Sequence, residues 1–339
     1  MRFKLLVLSL LLAALTACGA NSSPVKENEE ATKSKSQLES IKVASWSQPI
    51  TEQTNLLVDN EKQFFKEKGL EISFIPGAGG ADSIKNILSG HADIAFTDPG
   101  SLFFALDKGE KLRVIYNIYP QNVFNVVSLK GKNMTKPEDL KGKKIGVYSL
   151  ASGTRQNLLV LLHQVGLSEK DVTIVETGLL NFAPLMQGQV DATAATDTGL
   201  FIGEQKGLGD VNVMEVKDYL NFPSDVFVVT EETYQEKKEL ISKFLDGYRN
   251  SAEWMIEQPE EAASKAVDYA IDGKNEKNNL EIIKLRNASS VSQATEEKGL
   301  GTLEVEKLQE AADTYKKLGL IKNDLNMSEI VRDELIPQK

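Results

Sequence analysis

Residues 87–103, Ile-Leu-Ser-Gly-His-Ala-Asp-Ile-Ala-Phe-Thr-Asp-Pro-Gly-Ser-Leu-Phe, decide the fold. A helix closed by Gly90 gives way to a short apolar run that stops at Thr97-Asp98. A C-cap glycine ahead of a brief buried strand, with turn residues after it, is what an αβ unit requires. The pattern returns at 185–201, Leu-Met-Gln-Gly-Gln-Val-Asp-Ala-Thr-Ala-Ala-Thr-Asp-Thr-Gly-Leu-Phe. Gly188 and Asp191 stand 98 residues after Gly90 and Asp93, and Thr196-Asp197 answers Thr97-Asp98 with a one-residue slip. Two copies of one unit predict an α/β fold of two αβ lobes around a ligand cleft. Open α/β sheets bind ligands beyond the carboxyl ends of their strands, so both Thr-Asp pairs are expected to face that cleft from opposite sides.

Composition narrows the function. The net charge of −10, with no basic stripe, argues against nucleic acid as a partner. A single cysteine, Cys18, excludes an intrachain disulfide, a cysteine-zinc cluster and a CxxC redox pair. The two histidines, His91 and His163, are too few and too scattered for a histidine metal site and read as structural or solvated. No cofactor or metal is expected.

The N-terminus reads as an export signal over 1–17. Arg2 and Lys4 precede an apolar run from Leu5 to Leu15, too short to span a membrane comfortably. Leu15-Thr-Ala-Cys18 resembles the bacterial lipobox, which implies cleavage before Cys18 and a lipid anchor on its thiol; an ordinary secretory signal is the alternative. Residues 18–40, rich in Ser, Glu and Lys without apolar periodicity, read as a tether.

The fold is expected to begin with a strand at Ile41, then a helix from about Thr51 to Lys68 closed by Gly69. Pro76-Gly-Ala-Gly-Gly80 is a flexible turn that matches neither GxGxxG nor a Walker loop. Lobe one is expected over 41–128 plus 222–339 and lobe two over 129–221. Two β-rich crossing segments, about 123–129 and 222–230, would form the hinge. Beyond Glu231 the chain is mostly helical, and Leu240, Ile241, Phe244, Leu245 and Tyr248 keep helical spacing, so this block is expected to pack back onto lobe one.

At this point the residues resemble a known family. The lipobox, Phe64-Phe-Lys-Glu-Lys-Gly-Leu-Glu-Ile72, Gly79 to Asp98, Pro137-Glu-Asp-Leu-Lys-Gly-Lys-Lys-Ile-Gly-Val147 and Leu185 to Asp197 look like an extracytoplasmic solute-binding protein of an ABC importer. The implied fold is the type II periplasmic-binding fold. The implied branch holds aliphatic-sulfonate, taurine and nitrate binders together with binders of thiamine-pyrimidine precursors. The resemblance implies a monomer that binds a small solute, docks on a permease with its ATPase and performs no chemistry.

Candidate contacts come from loops at strand ends in both lobes. Trp46 and Gln48 follow the first strand, where the family often walls its ligand with an aromatic; a core role for Trp46 is the alternative. Asp98 precedes Pro99, which is also the signature of a helix N-cap with proline at N1, and Thr97 shares that ambiguity. Ser149 and the Ala151-Ser152-Gly153-Thr154-Arg155 turn would present hydroxyls and N–H groups at a helix N-terminus, an arrangement that holds an anion; a plain cap by Ser152 is compatible with it. Thr196 and Asp197 would approach from the same lobe, the carboxylate suited to an amino group or ring N–H. The turn and Arg155 favour an anion, whereas two cleft aspartates favour an amine or aminopyrimidine, and the balance leans slightly towards a thiamine-pyrimidine-like solute.

Other classes fit less well. A fungal relative of the fold makes the thiamine pyrimidine with a cysteine-rich motif and a histidine, and this chain has no cysteine after Cys18. No GxSxG, HExxH or Ser-His-Asp set suggests a hydrolase. A surface adhesin or sensor remains as a non-transport reading. The anchor suits either envelope type, and the Lys- and Glu-rich tether favours a Gram-positive surface.

Overall fold

The computed structural model describes residues 38–337. The export signal, the lipidation candidate Cys18 and nearly all of the tether lie outside the described residues; the last tether positions belong to the first strand.

Two five-stranded sheets organise the chain. The first runs β2-β1-β3-β10-β4, from β1 (Glu39–Ala44), β2 (Leu70–Ile75), β3 (Ile94–Thr97), β4 (Leu112–Tyr119) and β10 (Asp225–Thr230). The second runs β7-β6-β8-β5-β9, from β5 (Phe124–Leu129), β6 (Lys144–Val147), β7 (Thr173–Glu176), β8 (Ala192–Thr196) and β9 (Val211–Glu215). The two orders correspond strand for strand. In each, three parallel strands are followed by an antiparallel one that has just arrived from the other sheet: β10 pairs with β3 and β4, and β5 with β8 and β9.

The repeated glycine-to-aspartate motif does the same work twice. Asp93 accepts the Lys42 N–H (2.8 Å) and returns its own N–H to the Lys42 carbonyl (2.9 Å). Asp191 accepts the Lys144 N–H (3.0 Å) and returns its N–H to the Lys144 carbonyl (2.7 Å). Each aspartate thus satisfies backbone groups at the edge of a strand pair that would otherwise lack partners, and sets where the third parallel strand starts.

The two β-rich runs mark where the chain crosses, each entering a sheet directly after its crossing. Phe124–Leu129 pairs wholly within the second sheet, so a lobe boundary at 128 would cut β5, and Asp225–Thr230 pairs wholly within the first. Strand propensity is the same in either sheet, so the run could not reveal its owner. The connectors are the short stretches 120–123 and 216–224, and they lie side by side. Val123 N–H donates to Ser224 Oγ (3.0 Å), Asn122 N–H to Asn221 Oδ1 (3.2 Å) and Asn122 Nδ2 to the Leu220 carbonyl (3.1 Å).

The helix predicted over 51–68 is instead a series of short turns. Gln63 adopts a left-handed φ of 60°, and Asp59 accepts the Phe65 N–H (2.8 Å), which draws the chain out of helical register. Phe65 is buried by this detour and stacks on Phe244, 5.4 Å between centroids. The C-terminal block does pack onto the first sheet: Phe227 of β10 meets Tyr248 and Phe244 edge-on at 4.7 and 5.2 Å. Each such pair contributes roughly 0.5–1.5 kcal/mol beyond the area it buries.

Candidate functional site

Between the two sheets lies a cavity of about 340 Å³, walled from both sides. From the first sheet and its helices come Trp46, Glu52, Asp98, Asp225, Ile282 and Arg286; from the second come Phe124, Tyr148, Gly153, Asn181, Thr198 and Ile202. That size suits a small solute, and aromatic walls with a few convergent polar groups are the usual make-up of such sites.

Six of the sequence candidates line the cavity: Trp46, Asp98, Ser152, Gly153, Thr154 and Thr196. Trp46 stands edge-on to Tyr148 across the cleft (6.1 Å, 90°) and to Phe96 behind it (6.4 Å, 83°), so it is core and wall at once. Asp98 is both a cap and a cavity-lining residue. It N-caps the helix Pro99–Asp107, accepting Ser101 N–H (2.8 Å) and Ser101 Oγ (2.7 Å), and still borders the cavity. Burial pushes its carboxyl up to about 6 against the pull of those bonds.

Ser152 occupies the N-cap position of the helix Gly153–Gln164, but its side chain does not cap it. Its hydroxyl donates to the Ser149 carbonyl (2.7 Å) and bonds Thr154 Oγ1 (2.7 Å), so the loop braces itself and leaves the first helical turn uncapped beside the cavity. Close approach there requires glycine: a Cβ on Gly153 would sit 2.7 Å from Phe124 Cζ.

Five candidates do not line the cavity. Gln48 donates to the Gly77 carbonyl (3.3 Å) and Thr97 Oγ1, fully buried, to the Gly80 carbonyl (2.9 Å). Ser149 Oγ donates to the Ala78 carbonyl, and Ala81 N–H to the Ala151 carbonyl (3.0 Å). The turn at 76–80 is therefore one of the places where the two lobes touch. Gly79, with φ of 139°, admits no side chain there because a Cβ would collide with the Ala151 carbonyl. Arg155 points away to Glu169, pairing through Nε (3.1 Å) and Nη2 (2.6 Å), so the cation expected to hold an anion is engaged elsewhere. Asp197 stands behind the wall, bound to Arg286.

Arg286 is the main residue that sequence reading missed. It lies in the helix Glu276–Ser290, is 1% exposed, and donates from Nε to Glu52 (2.9 Å) and from Nη2 to Asp197 and to Thr198 Oγ1 (3.0 Å). Thr198 in turn donates to Glu52 (2.9 Å). Glu52 and Arg286 belong to the first lobe and Asp197 and Thr198 to the second, so this network ties the lobes together. Burial disfavours the guanidinium, and Asp197 and Glu52 outweigh it, holding the group more firmly charged than usual. A lone arginine inside an otherwise unremarkable helical stretch gives no sequence signal for this role.

The remaining acids differ in their satisfaction. Asp272 accepts Thr51 N–H and Oγ1, both at 2.8 Å. Asp225 is 6% exposed, and burial, then Asp98 and Glu52, raise its carboxyl well above the usual range while Arg286 opposes them.

Two mixed α/β lobes, each with an antiparallel strand donated across the crossing, define the type II periplasmic-binding fold. The likeness is direct: the alkanesulfonate-binding protein SsuA from Xanthomonas axonopodis pv. citri bound to MOPS superposes with a TM-score of 0.69 at 15% identity, covering 87% of this chain and 98% of that one. The chain belongs to the NMT1/THI5-like family, whose pattern it matches over residues 50–262. Among curated relatives, a formylaminopyrimidine-binding protein of Halalkalibacterium halodurans is 24% identical, aligned over 77% of each chain. A 4-amino-5-hydroxymethyl-2-methylpyrimidine phosphate synthase of Saccharomyces cerevisiae is 22% identical over 66% of this chain and 68% of its own.

Proposed function

We propose that this chain is the extracytoplasmic solute receptor of an ABC-type importer. The observation that carries the reading is the two-walled cavity, with Trp46 and Tyr148 meeting across it. The receptor closes its lobes over a small solute about the paired connectors 120–123 and 216–224, then docks as a monomer on a permease served by its ATPase. A lipid on Cys18 anchors it to the membrane, and a Gram-positive surface is the preferred setting. It performs no chemistry. Although synthases occur among its relatives, their motif's cysteines have no counterpart after Cys18.

The solute class has two readings, and the comparisons support the anionic alternative better than the heterocycle. Solved neighbours named for sulfonate favour the anion alternative, an aliphatic sulfonate, taurine or nitrate-type solute, and the uncapped first turn at Gly153 supports it. The curated pyrimidine-binding relative favours the thiamine-pyrimidine-like solute, as do the aromatic wall and the acids Glu52, Asp98 and Asp225. Engagement of Arg155 by Glu169 and of Arg286 by Glu52 and Asp197 weakens the purely anionic case.

Thermal-shift screening against aminopyrimidines, thiamine, riboflavin, taurine, alkanesulfonates and nitrate tests the reading. A solute that binds the native state alone stabilises it by about 2.7 kcal/mol at a hundredfold excess over Kd. A shift from one class and not the other selects the solute. No shift from any of them, with no importer genes beside this one, counts against the receptor.

A further inference from the structure

The register of the first sheet sets two carboxyl groups against each other at the cavity. Val226 pairs with Thr97 in the antiparallel ladder of β10 and β3, so the next positions outward are Asp225 and Asp98. Like charges placed opposite each other on neighbouring strands repel. Both residues line the cavity, at 6% and 3% exposure. Asp98 is held by Ser101, whereas no hydrogen bond reaches the Asp225 carboxyl among the described residues. Of the two cations lining the cavity, Arg286 is taken up by Glu52 and Asp197, and Lys206 lies exposed on the second lobe. A buried carboxyl with no donor, facing a ligand-sized space, is destabilising unless a ligand supplies the donor.

We propose that Asp225 and Asp98 form the subsite that recognises a basic, hydrogen-bond-donating nitrogen of the solute, either an ammonium or an amino group beside a protonatable ring nitrogen. The proposal rests on the cavity being a solute site, and it holds for a zwitterion such as taurine as well as for an aminopyrimidine. The other titratable groups around Asp225 are Glu52, Arg286 and the phenols of Tyr119 and Tyr248. Arg286 offsets Glu52, and phenols stay neutral, so the pair is left to balance itself. Burial raises both carboxyls, repulsion by Asp98 raises that of Asp225 further, and together they favour keeping a proton on one of the two when no solute is bound. A solute that arrives protonated displaces it to solvent. A weaker neutral base takes the proton onto its own nitrogen, and none is released.

Matched probes test this by calorimetric titration: 4-aminopyrimidine against pyrimidine, and taurine against ethanesulfonate. In at least one pair the amino member should bind about tenfold or more tightly than its partner, a difference of ~1.4 kcal/mol. Asp225→Asn should erase the preference, and titration in two buffers of different ionisation heat should reveal proton release for taurine. Without ligand, the melting temperature of Asp225→Asn should exceed that of the wild type by a margin that widens from pH 5 to pH 8. If Asp225→Asn fails to fold, Asp98→Asn, which keeps an acceptor for Ser101, carries the same comparison. Equal binding within both pairs, no binding by either amino member, or a preference that survives the substitution overturns the subsite. Tight binding of ethanesulfonate or pyrimidine in that case leaves the receptor reading standing, whereas silence across the whole solute panel removes both.

Discussion

The two copies of the αβ unit agree at their aspartate before the third strand and part company at the Thr-Asp pair after it. Asp93 and Asp191 bind the same backbone group at nearly the same distance. At the strand end, Asp98 caps its own helix, accepting from Ser101, and stays buried. In the second copy the cap falls to Thr196, whose hydroxyl accepts the Gly199 N–H (3.3 Å). Asp197 thereby becomes the first helical residue and is released to bind Arg286 of the other lobe. A slip of one residue converts a local cap into a tie across the cleft. Equivalent sequence positions need not keep equivalent work once the capping role has moved.

That contrast can be broken from several sides. The largest effect is expected from Arg286→Ala. It leaves the Glu52 carboxylate buried without its cation and unties Asp197, at about 3–5 kcal/mol for one partner of a buried pair; urea unfolding measures the loss. Gly153→Ala is next. Its methyl meets Phe124 of the same lobe at the cavity wall, at a cost of roughly 1–3 kcal/mol for overpacking, with the denaturant midpoint lowered and the slope unchanged.

Asp93→Ala and Asp191→Ala sharpen the point of agreement. Each loses a charge-assisted bond to one backbone N–H, about 1–2 kcal/mol, and the two losses should match. Asp93 also pairs with Lys237 at 2.6 Å on the surface, which adds at most ~1 kcal/mol and vanishes in high salt. A large inequality beyond that would show that the repeat is one of sequence only.

The smallest effect is a slope. The Asp98 carboxyl sits near 6 in the fold against 3.8 unperturbed, so between those values the native state holds more proton than the unfolded chain. Stability therefore falls as pH rises through this window. Asp98→Asn, which preserves the cap, should flatten that part of the curve in a melting series, and a wild-type curve already flat there would refute the burial argument.

Much of this was legible in the chain. Gly90 with Asp93 and Gly188 with Asp191 revealed the repeat, because a C-cap and a strand-edge carboxylate each demand a particular residue at a fixed offset. The wall residues Trp46, Asp98 and Gly153 follow from strand ends and a helix start. The partners that complete the cavity were hidden for a physical reason. Arg286, Glu52 and Asp225 reach it from a distant helix, an irregular turn and a strand start, and nothing local marks a side chain whose role depends on what another lobe presents to it. Arg155 shows the converse: its place at a helix N-terminus suggests an anion site, yet a single helical step turns it outward to Glu169.

The most direct test is small-angle scattering from the ligand-free protein and its Asp197→Ala variant. Asp197 does not line the cavity, so its loss removes no wall; it takes away the second lobe's charged member of the tie and leaves Thr198 bonded to Arg286 and Glu52. The account predicts a larger radius of gyration for the variant and a return to the wild-type value when a binding solute is added. Identical scattering from the two proteins, at unchanged folding, would contradict the claim that this aspartate holds the lobes together.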